Sequence, residues 1–243
     1  MKTAEYAKMY GAERRFWWFV AKEDLVSVLA RKWLPAEGLF LDLGCGTGAN
    51  LDRVRGRGRW IGLDAGGEAV RFCAERGLAE LARAEAGRLP FRADTFDGAM
   101  ALDLFEHLED DATAAAELGR VLRPGGRLLV TVPAYPGLFG AHDHALGHRR
   151  RYRGADLRRL LADAGLRLVH AGHFLGLLFP LMLPVRLWQK RHGSRAETIS
   201  YDWPPALNRL LLAAAALELR LFAKRPLPFG TTLFAVAEKP GGN

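Results

Sequence analysis

The stretch LDLGCGTGAN, Leu41 to Asn50, ends an apolar run with Asp42 inside it and then places Gly44, Gly46 and Gly48 at alternate positions. Alternating glycines let a chain turn sharply and bring backbone N–H groups close to a ligand that side chains would exclude. The spacing is GxGxG. A dinucleotide-binding turn, GxGxxG, sets its third glycine one residue later, where the helix amino end seats a pyrophosphate. The next apolar run, WIGLD, ends in Asp64, a carboxylate placed to hydrogen-bond the two hydroxyls of a ribose. Together the turn and the acid suit a nucleoside without a pyrophosphate.

Outward from this turn, short apolar runs alternate with amphipathic stretches. Strands are expected at Leu39–Leu43, Trp60–Leu63, Leu78–Ala84 (weakly), Phe96–Leu102, Leu128–Val132, Leu166–Ala171 and Thr232–Ala237. Helical patterns such as EAVRFCAERG and ATAAAELGRVLRPGG lie between them, the latter stopped by Pro124, Gly125 and Gly126. Such alternation predicts an α/β domain, a mostly parallel sheet with helices on both faces. Ligands of such sheets sit at the carboxyl ends of the strands.

The 243 residues, 49% hydrophobic, suffice for one core, and a single domain is expected over 1–243. The net charge of +8 comes mostly from arginine and favours acidic partners only weakly. Cys45 and Cys73 are the only cysteines, which excludes a disulfide framework or a CxxC zinc pattern. The amino-terminal segment carries charges throughout and lacks a signal-peptide core, so a cytoplasmic location is expected, with membrane association as an addition to it. The apolar run Phe174 to Val185, with two prolines, is too short to span a bilayer.

These motifs resemble a class I S-adenosylmethionine-dependent methyltransferase from Leu39 to the carboxyl terminus, of the small-molecule type found among quinone-biosynthesis methyltransferases. The resemblance implies a Rossmann-like seven-stranded sheet with helices on both faces, and S-adenosylmethionine as cofactor. DLGCGTG matches the loop around the methionine part, which assigns Asp42, Gly44, Gly46 and Gly48 to the cofactor; Asp64 matches the ribose acid. AEAGRLPFRADTFDGAMALDLFEHL resembles the family pattern GDAxxLPFxxxxFDxVxxxxxxEHL. Glu85 stands where an Asp meets the adenine amino group, and Ala84 replaces a Gly. Asp103, Glu106 and His107, after the fourth strand, border the transferred methyl. LRPGGRLLVTVP matches the turn and fifth strand.

The same resemblance places AHDHALGHRRRY, Ala141 to Tyr152, directly after the fifth strand; His142, Asp143, His148, Arg150, Arg151 and Tyr152 match a recurring pattern, and His144 is an addition. No metal is expected, because His142 and His144 fall on opposite sides of an extended chain, although Glu106 or His107 could serve as distant partners. Nucleic acid is not expected as a partner: DLFEHL stands where a base-methylating enzyme carries Asn/Asp-Pro-Pro-aromatic. General-base chemistry fits best, with His142, His148 and Tyr152 as the catalytic candidates. A phenol of pKa about 10 stays protonated at neutral pH, and a neutral histidine of pKa about 6.5 can take its proton. The structural alternative is that Asp143 caps a turn, His148 bonds backbone and the arginines are solvated.

RRFWWF, Arg14 to Phe19, belongs to an expected amino-terminal helical lid over residues 1–35, with Trp17 and Trp18 both docking on the core and covering the cofactor. Between the sixth and seventh strands an inserted helical cap is expected over residues 175–229, with two apolar helices. It is expected to wall the acceptor site. The expected reaction is O-methylation of a small or lipophilic acceptor, with carbon or nitrogen as the alternative target. Peripheral membrane contact or a homodimer interface would bury the remaining apolar surface. The competing reading is a cofactor-binding or membrane-peripheral protein without turnover.

Overall fold

The structure is a computed structural model that describes residues 3–192, 201–222 and 225–241. Two helices, α1 (Thr3–Ala12) and α2 (Trp17–Trp33), precede the sheet. The chain then alternates β1 (Leu39–Leu43), α3 (Ala49–Val54), β2 (Arg59–Asp64), α4 (Gly67–Glu75), β3 (Leu81–Arg83) and β4 (Phe96–Leu102). It continues through α5 (Asp111–Val121), β5 (Leu122–Pro133), α6 (Ala141–Leu146), α7 (Gly154–Asp163) and β6 (Arg167–Phe174) to α8 (Phe179–His192), α9 (Pro205–Phe222) and β7 (Thr232–Glu238).

The seven strands lie in the order β3-β2-β1-β4-β5-β7-β6. Strands β3, β2, β1, β4 and β5 pair in parallel, and β7 runs antiparallel between β5 and β6. The order reverses between β1 and β4, so the loops leaving these two strands diverge and open a crevice at their carboxyl ends. Side-chain alternation assigns the two core layers. Phe40, Met100, Leu129, Phe234 and Val236 face one way with α2, α3 and Ala215 of α9. Leu41, Ala99, Ala101, Leu128, Val130 and Ala235 face the other way with α5 and α7.

Three strands differ from expectation by more than one residue at an end. β3 shrinks to Leu81–Arg83 at the sheet edge, where it has a partner on one side only. β5 begins at Leu122, before Pro124, because Leu122 pairs with Phe96 and the register then jumps to Gly98–Arg127. The intervening bulge is held by the chain after β7: Gly125 donates to the Lys239 carbonyl and Lys239 to that of Gly126. β6 runs on to Phe174, paired with Thr232.

The insertion contains both expected helices, and α9 packs along α2. Leu211, Leu212, Ala214 and Leu219 pack on the core, whereas Leu210, Leu217 and Leu221 are exposed. Two polar residues of α9 lock it. Glu218, buried, accepts hydrogen bonds from the N–H groups of Gly176 and Leu177, at 3.0 and 2.8 Å, where α8 is approached. Asn208 Oδ1 accepts from Trp17 N–H at 2.8 Å while its Nδ2 donates to the Arg15 carbonyl. Phe16 has no side chain able to cap α2, so Asn208 caps it from 191 positions away. Asn208→Ala is expected to lower unfolding stability by about 1–2 kcal/mol, read from the denaturant midpoint; an unchanged midpoint would remove this cap from the account.

Candidate functional site

At the crevice, Gly44, Gly46 and Gly48 all have positive φ, +76°, +54° and +82°. Two of them are also required by packing: a Cβ on Gly44 would lie 2.8 Å from Leu104 Cδ1, and one on Gly48 would lie 2.6 Å from Leu78 Cδ1 and 2.8 Å from Cys73 Sγ. Gly46 differs. Nothing lies within 4 Å of its Cβ position, so this peptide faces open space and a ligand can approach it closely.

Asp64, at the end of β2, draws the loop together. Its Oδ2 accepts from Gly46 N–H at 3.0 Å and its Oδ1 from Gly66 N–H at 2.8 Å. Tyr6 of α1 hydrogen-bonds the same carboxylate; burial, and then Asp64, push this phenol up to about 12. Asp42 is 2% exposed, and burial followed by the charge of Asp64 pushes it up to about 7. Glu85 is exposed on the loop after β3.

The amino-terminal helices close this end more firmly than their aromatics suggested. Glu13, buried, bonds the Thr47 hydroxyl within the glycine turn and the Arg76 guanidinium, whose Nε donates to the Thr47 carbonyl at 2.7 Å. Lys22, buried on α2, contacts both carboxylate oxygens of Asp103 at 2.8 Å. Asp103 follows β4 with φ +50°, an unfavourable conformation for a residue with a side chain that its surroundings must hold in place. Thr131 Oγ1 completes its shell at 3.2 Å. Trp17 is in the core, and Trp18 lies under the Lys22 ammonium, 5.3 Å from the ring centre. Tyr6, Glu13 and Lys22 were not anticipated. No spacing rule marks them, since their partners lie just past α4, in the glycine turn and at the ends of β2 and β4.

After Asp103 a single 3₁₀ turn, Phe105–His107, carries Glu106 inward. Glu106 is 1% exposed, and neither carboxylate oxygen meets a hydrogen-bond partner on another residue among the described residues. Burial, reinforced by Asp103, raises it well above the usual carboxylate range. His107 is lowered to about 4, chiefly by burial and then by His148; the two rings meet nearly perpendicular, with centres 4.8 Å apart.

The stretch Ala141 to Tyr152 is not wholly extended. It opens as α6 and then runs out from Gly147 (φ +74°), which ends the helix. Asp143 is its buried hub: Oδ1 accepts from His148 Nδ1 at 2.9 Å and Arg151 Nε at 2.8 Å, and Oδ2 from Gly140 N–H at 3.0 Å. Burial pushes this carboxyl up, but His148 and Arg151 outweigh it and hold it near 2. His142 is depressed to about 3 by burial and by Arg186, which α8 brings to this edge. His144 is exposed, its ring edge-on to Phe139.

Tyr152 departs from its expected catalytic place. Its hydroxyl donates to Asp111 Oδ2 at 2.5 Å, beside the Arg150–Asp111 ion pair, and burial with that bond raises the phenol far above its ordinary value. Its oxygen is therefore committed to tying the segment to α5. Clefts of about 410 and 250 Å³ open elsewhere, one beside Trp33 and the Arg123–Arg127 turn, the other between α7, β6 and Pro226. Neither is lined by a candidate cofactor-binding or catalytic residue; the converging polar groups lie at the strand ends.

Residues 41–130 match the family model of a methyltransferase domain. The chain is 30% identical over 159 residues to a probable S-adenosylmethionine-dependent methyltransferase of Mycolicibacterium smegmatis, covering 64% of this chain and 61% of that protein. It is 34% identical over 106 residues to an O-methyltransferase of Penicillium expansum, 40% of this chain and 38% of the other. The chain spans between 25% and 61% of the length of the curated relatives that resemble it at such identities. The fold is similar to that of a Haloferax volcanii methyltransferase solved in complex with a methyltransferase activator, with TM-score 0.67 at 24% identity over 99% of this chain and 96% of that one.

Proposed function

We propose, from the premise that this chain carries a class I S-adenosylmethionine-dependent methyltransferase domain, that it transfers a methyl group to an oxygen of a small or lipophilic acceptor. The observation that carries the proposal is the crevice itself: the open Gly46 peptide and Asp64 on one side, Asp103 and the His148–Asp143 pair on the other. S-adenosylmethionine, when bound, supplies an electrophilic methyl. The Gly44–Gly48 turn and Asp42 would hold its methionine part, Asp64 its ribose, and the Glu85 loop its adenine side. Similarity to an O-methyltransferase supports oxygen as the target. The direct test is release of S-adenosylhomocysteine, with labelled methyl recovered in an acceptor from a small-molecule extract; cofactor binding without any release would favour a binding protein.

An acceptor hydroxyl must lose a proton as it attacks. An imidazole that donates Nδ1–H to Asp143 presents Nε2 as the acceptor, so His148 suits the role of base. His142, depressed to about 3, binds a proton too weakly to serve as the base. His148→Ala is expected to lower kcat by about 10²–10⁴-fold, and His142→Ala by much less. Wild-type turnover in both variants from about pH 6 to 9 would leave alignment alone as the source of rate.

The insertion would wall the acceptor. Phe179 at the start of α8 lies 5.3 Å from the ring of Tyr135, which follows β5 with φ +62° and stacks on His173. Replacing residues 175–229 by a short Gly-Ser hairpin is expected to abolish transfer; full activity would sink the cap. The exposed leucines of α9 and Leu181, Val185 and Trp188 of α8 supply apolar surface for peripheral membrane contact or a homodimer. No helix among the described residues is long and apolar enough to cross a membrane. Failure to float with anionic vesicles at low salt would remove lipid from the proposal.

A further inference from the structure

We propose that Glu106, His107 and His148 bind one divalent transition-metal ion of the Zn²⁺ or Co²⁺ class. One carboxylate oxygen and one ring nitrogen from each histidine lie within 4.8 Å of one another. Donors around a tetrahedral ion of this class stand about 3.3 Å apart, with bonds of about 2.0–2.1 Å, so rotations that move each donor about an ångström close the set. Two imidazoles with one carboxylate favour such ions over Mg²⁺ or Ca²⁺, which prefer all-oxygen sites.

Three further observations point to an ion. Glu106 is buried, and neither of its oxygens has a hydrogen-bond partner on another residue among the described residues; a buried carboxylate in that state is costly without a cation. Both histidine rings are also held by a partner outside the trio. His148 Nδ1 lies 2.9 Å from the Asp143 carboxylate, itself fixed by Arg151 and Gly140, and His107 bonds the Gly147 carbonyl. Carboxylate–histidine and carbonyl–histidine pairs of this kind aim the remaining ring nitrogen at a metal. Finally, Arg149 N–H donates to the Glu106 carbonyl at 2.7 Å, which locks the two segments together.

Three protein ligands would leave a coordination position open. The binding of the ion stands on this geometry alone; its use rests on the methyl-transfer reading. An acceptor hydroxyl coordinated there is acidified by the ion, as metal-bound water is. With the ion bound, His148 would be a ligand in place of the base role it would have without the ion: the acceptor O–H would give its proton to solvent as its oxygen bonds the methyl carbon and the C–S bond of the sulfonium breaks, releasing S-adenosylhomocysteine.

Chelator-treated full-length protein, titrated with Co²⁺, is expected to develop visible d–d absorption that saturates at one equivalent. Proton NMR of the Co²⁺ form is expected to show two exchangeable, paramagnetically shifted imidazole N–H signals, one from each histidine. The double variant His107→Ala/His148→Ala is expected to lose the absorption while S-adenosylmethionine calorimetry shows it still folded, and His144→Ala to keep it. No absorption beyond that of free Co²⁺ in the wild type, an unchanged spectrum in the double variant, or absence of the two shifted signals would overturn the site; the NMR result decides even if the double variant does not fold. Methyl release by chelated protein without cation binding would overturn the ion and leave the transferase reading standing.

Discussion

Asp64→Ala is expected to weaken S-adenosylmethionine binding by about 10²–10⁴-fold in calorimetry, the equivalent of two charge-assisted hydrogen bonds of about 1.5–3 kcal/mol each. Those bonds are the ones the carboxylate would make to the two ribose hydroxyls. The effect extends past the lost contacts, because the same oxygens hold the amides of Gly46 and Gly66 at 3.0 and 2.8 Å. Without them the turn loses the bond that presents the open Gly46 peptide. Asp64→Asn separates the two contributions: it keeps the shape but turns an NH₂ toward one amide, so it is expected to fall between wild type and alanine. Unchanged affinity in a folded Asp64→Ala protein would remove this residue from the cofactor site.

Asp42→Asn is expected to stabilise the protein at pH 8 and to weaken cofactor binding. Burial and the charge of Asp64 raise Asp42 from 3.8 to about 7, so the folded chain holds this proton more tightly than the unfolded one. Its contribution favours folding fully below about pH 4 and is lost as pH rises through about 7. At pH 8 the ionised carboxylate therefore costs the folded state on the order of 4 kcal/mol. An isosteric amide removes that cost, less the penalty of its own buried N–H groups, for a net gain of about 1–3 kcal/mol. Denaturant midpoints should separate at pH 8 and converge near pH 4. If the cofactor's cationic portion requires the carboxylate, wild-type affinity falls about tenfold per pH unit below 7, and that slope should be absent in the variant. Equal or lower stability of Asp42→Asn at pH 8 would refute the account.

Much of the site could be read along the chain because its parts are local. The glycine turn, the strand that feeds it and the acid ending the next strand all depend on backbone conformations encoded within a few residues. Asp103 and the Asp143–His148 pair also lay within motifs. Their roles did not. Tyr152 and His148 are equally plausible catalysts in sequence, yet the fold turns the phenol to Asp111 and the imidazole toward Glu106 and His107. A side chain's type fixes which proton it can carry, and its neighbours decide whether the group is available.

The succession of strands along the chain and the GxGxG turn follow from the amino-acid sequence by itself, since period-two burial and positive φ at glycine are short-range constraints. Tertiary structure alone decided that Lys22 pairs with Asp103, 81 positions away, and that Glu13 and Arg76 clasp Thr47. It also decided that α9 lies on α2 through Asn208, and that Glu106, His107 and His148 converge. A lysine or glutamate on a helix reads the same in sequence whether water or a distant carboxylate is its partner. Only packing withdraws the water, and a buried charge then requires the counterpart that the fold brings to it.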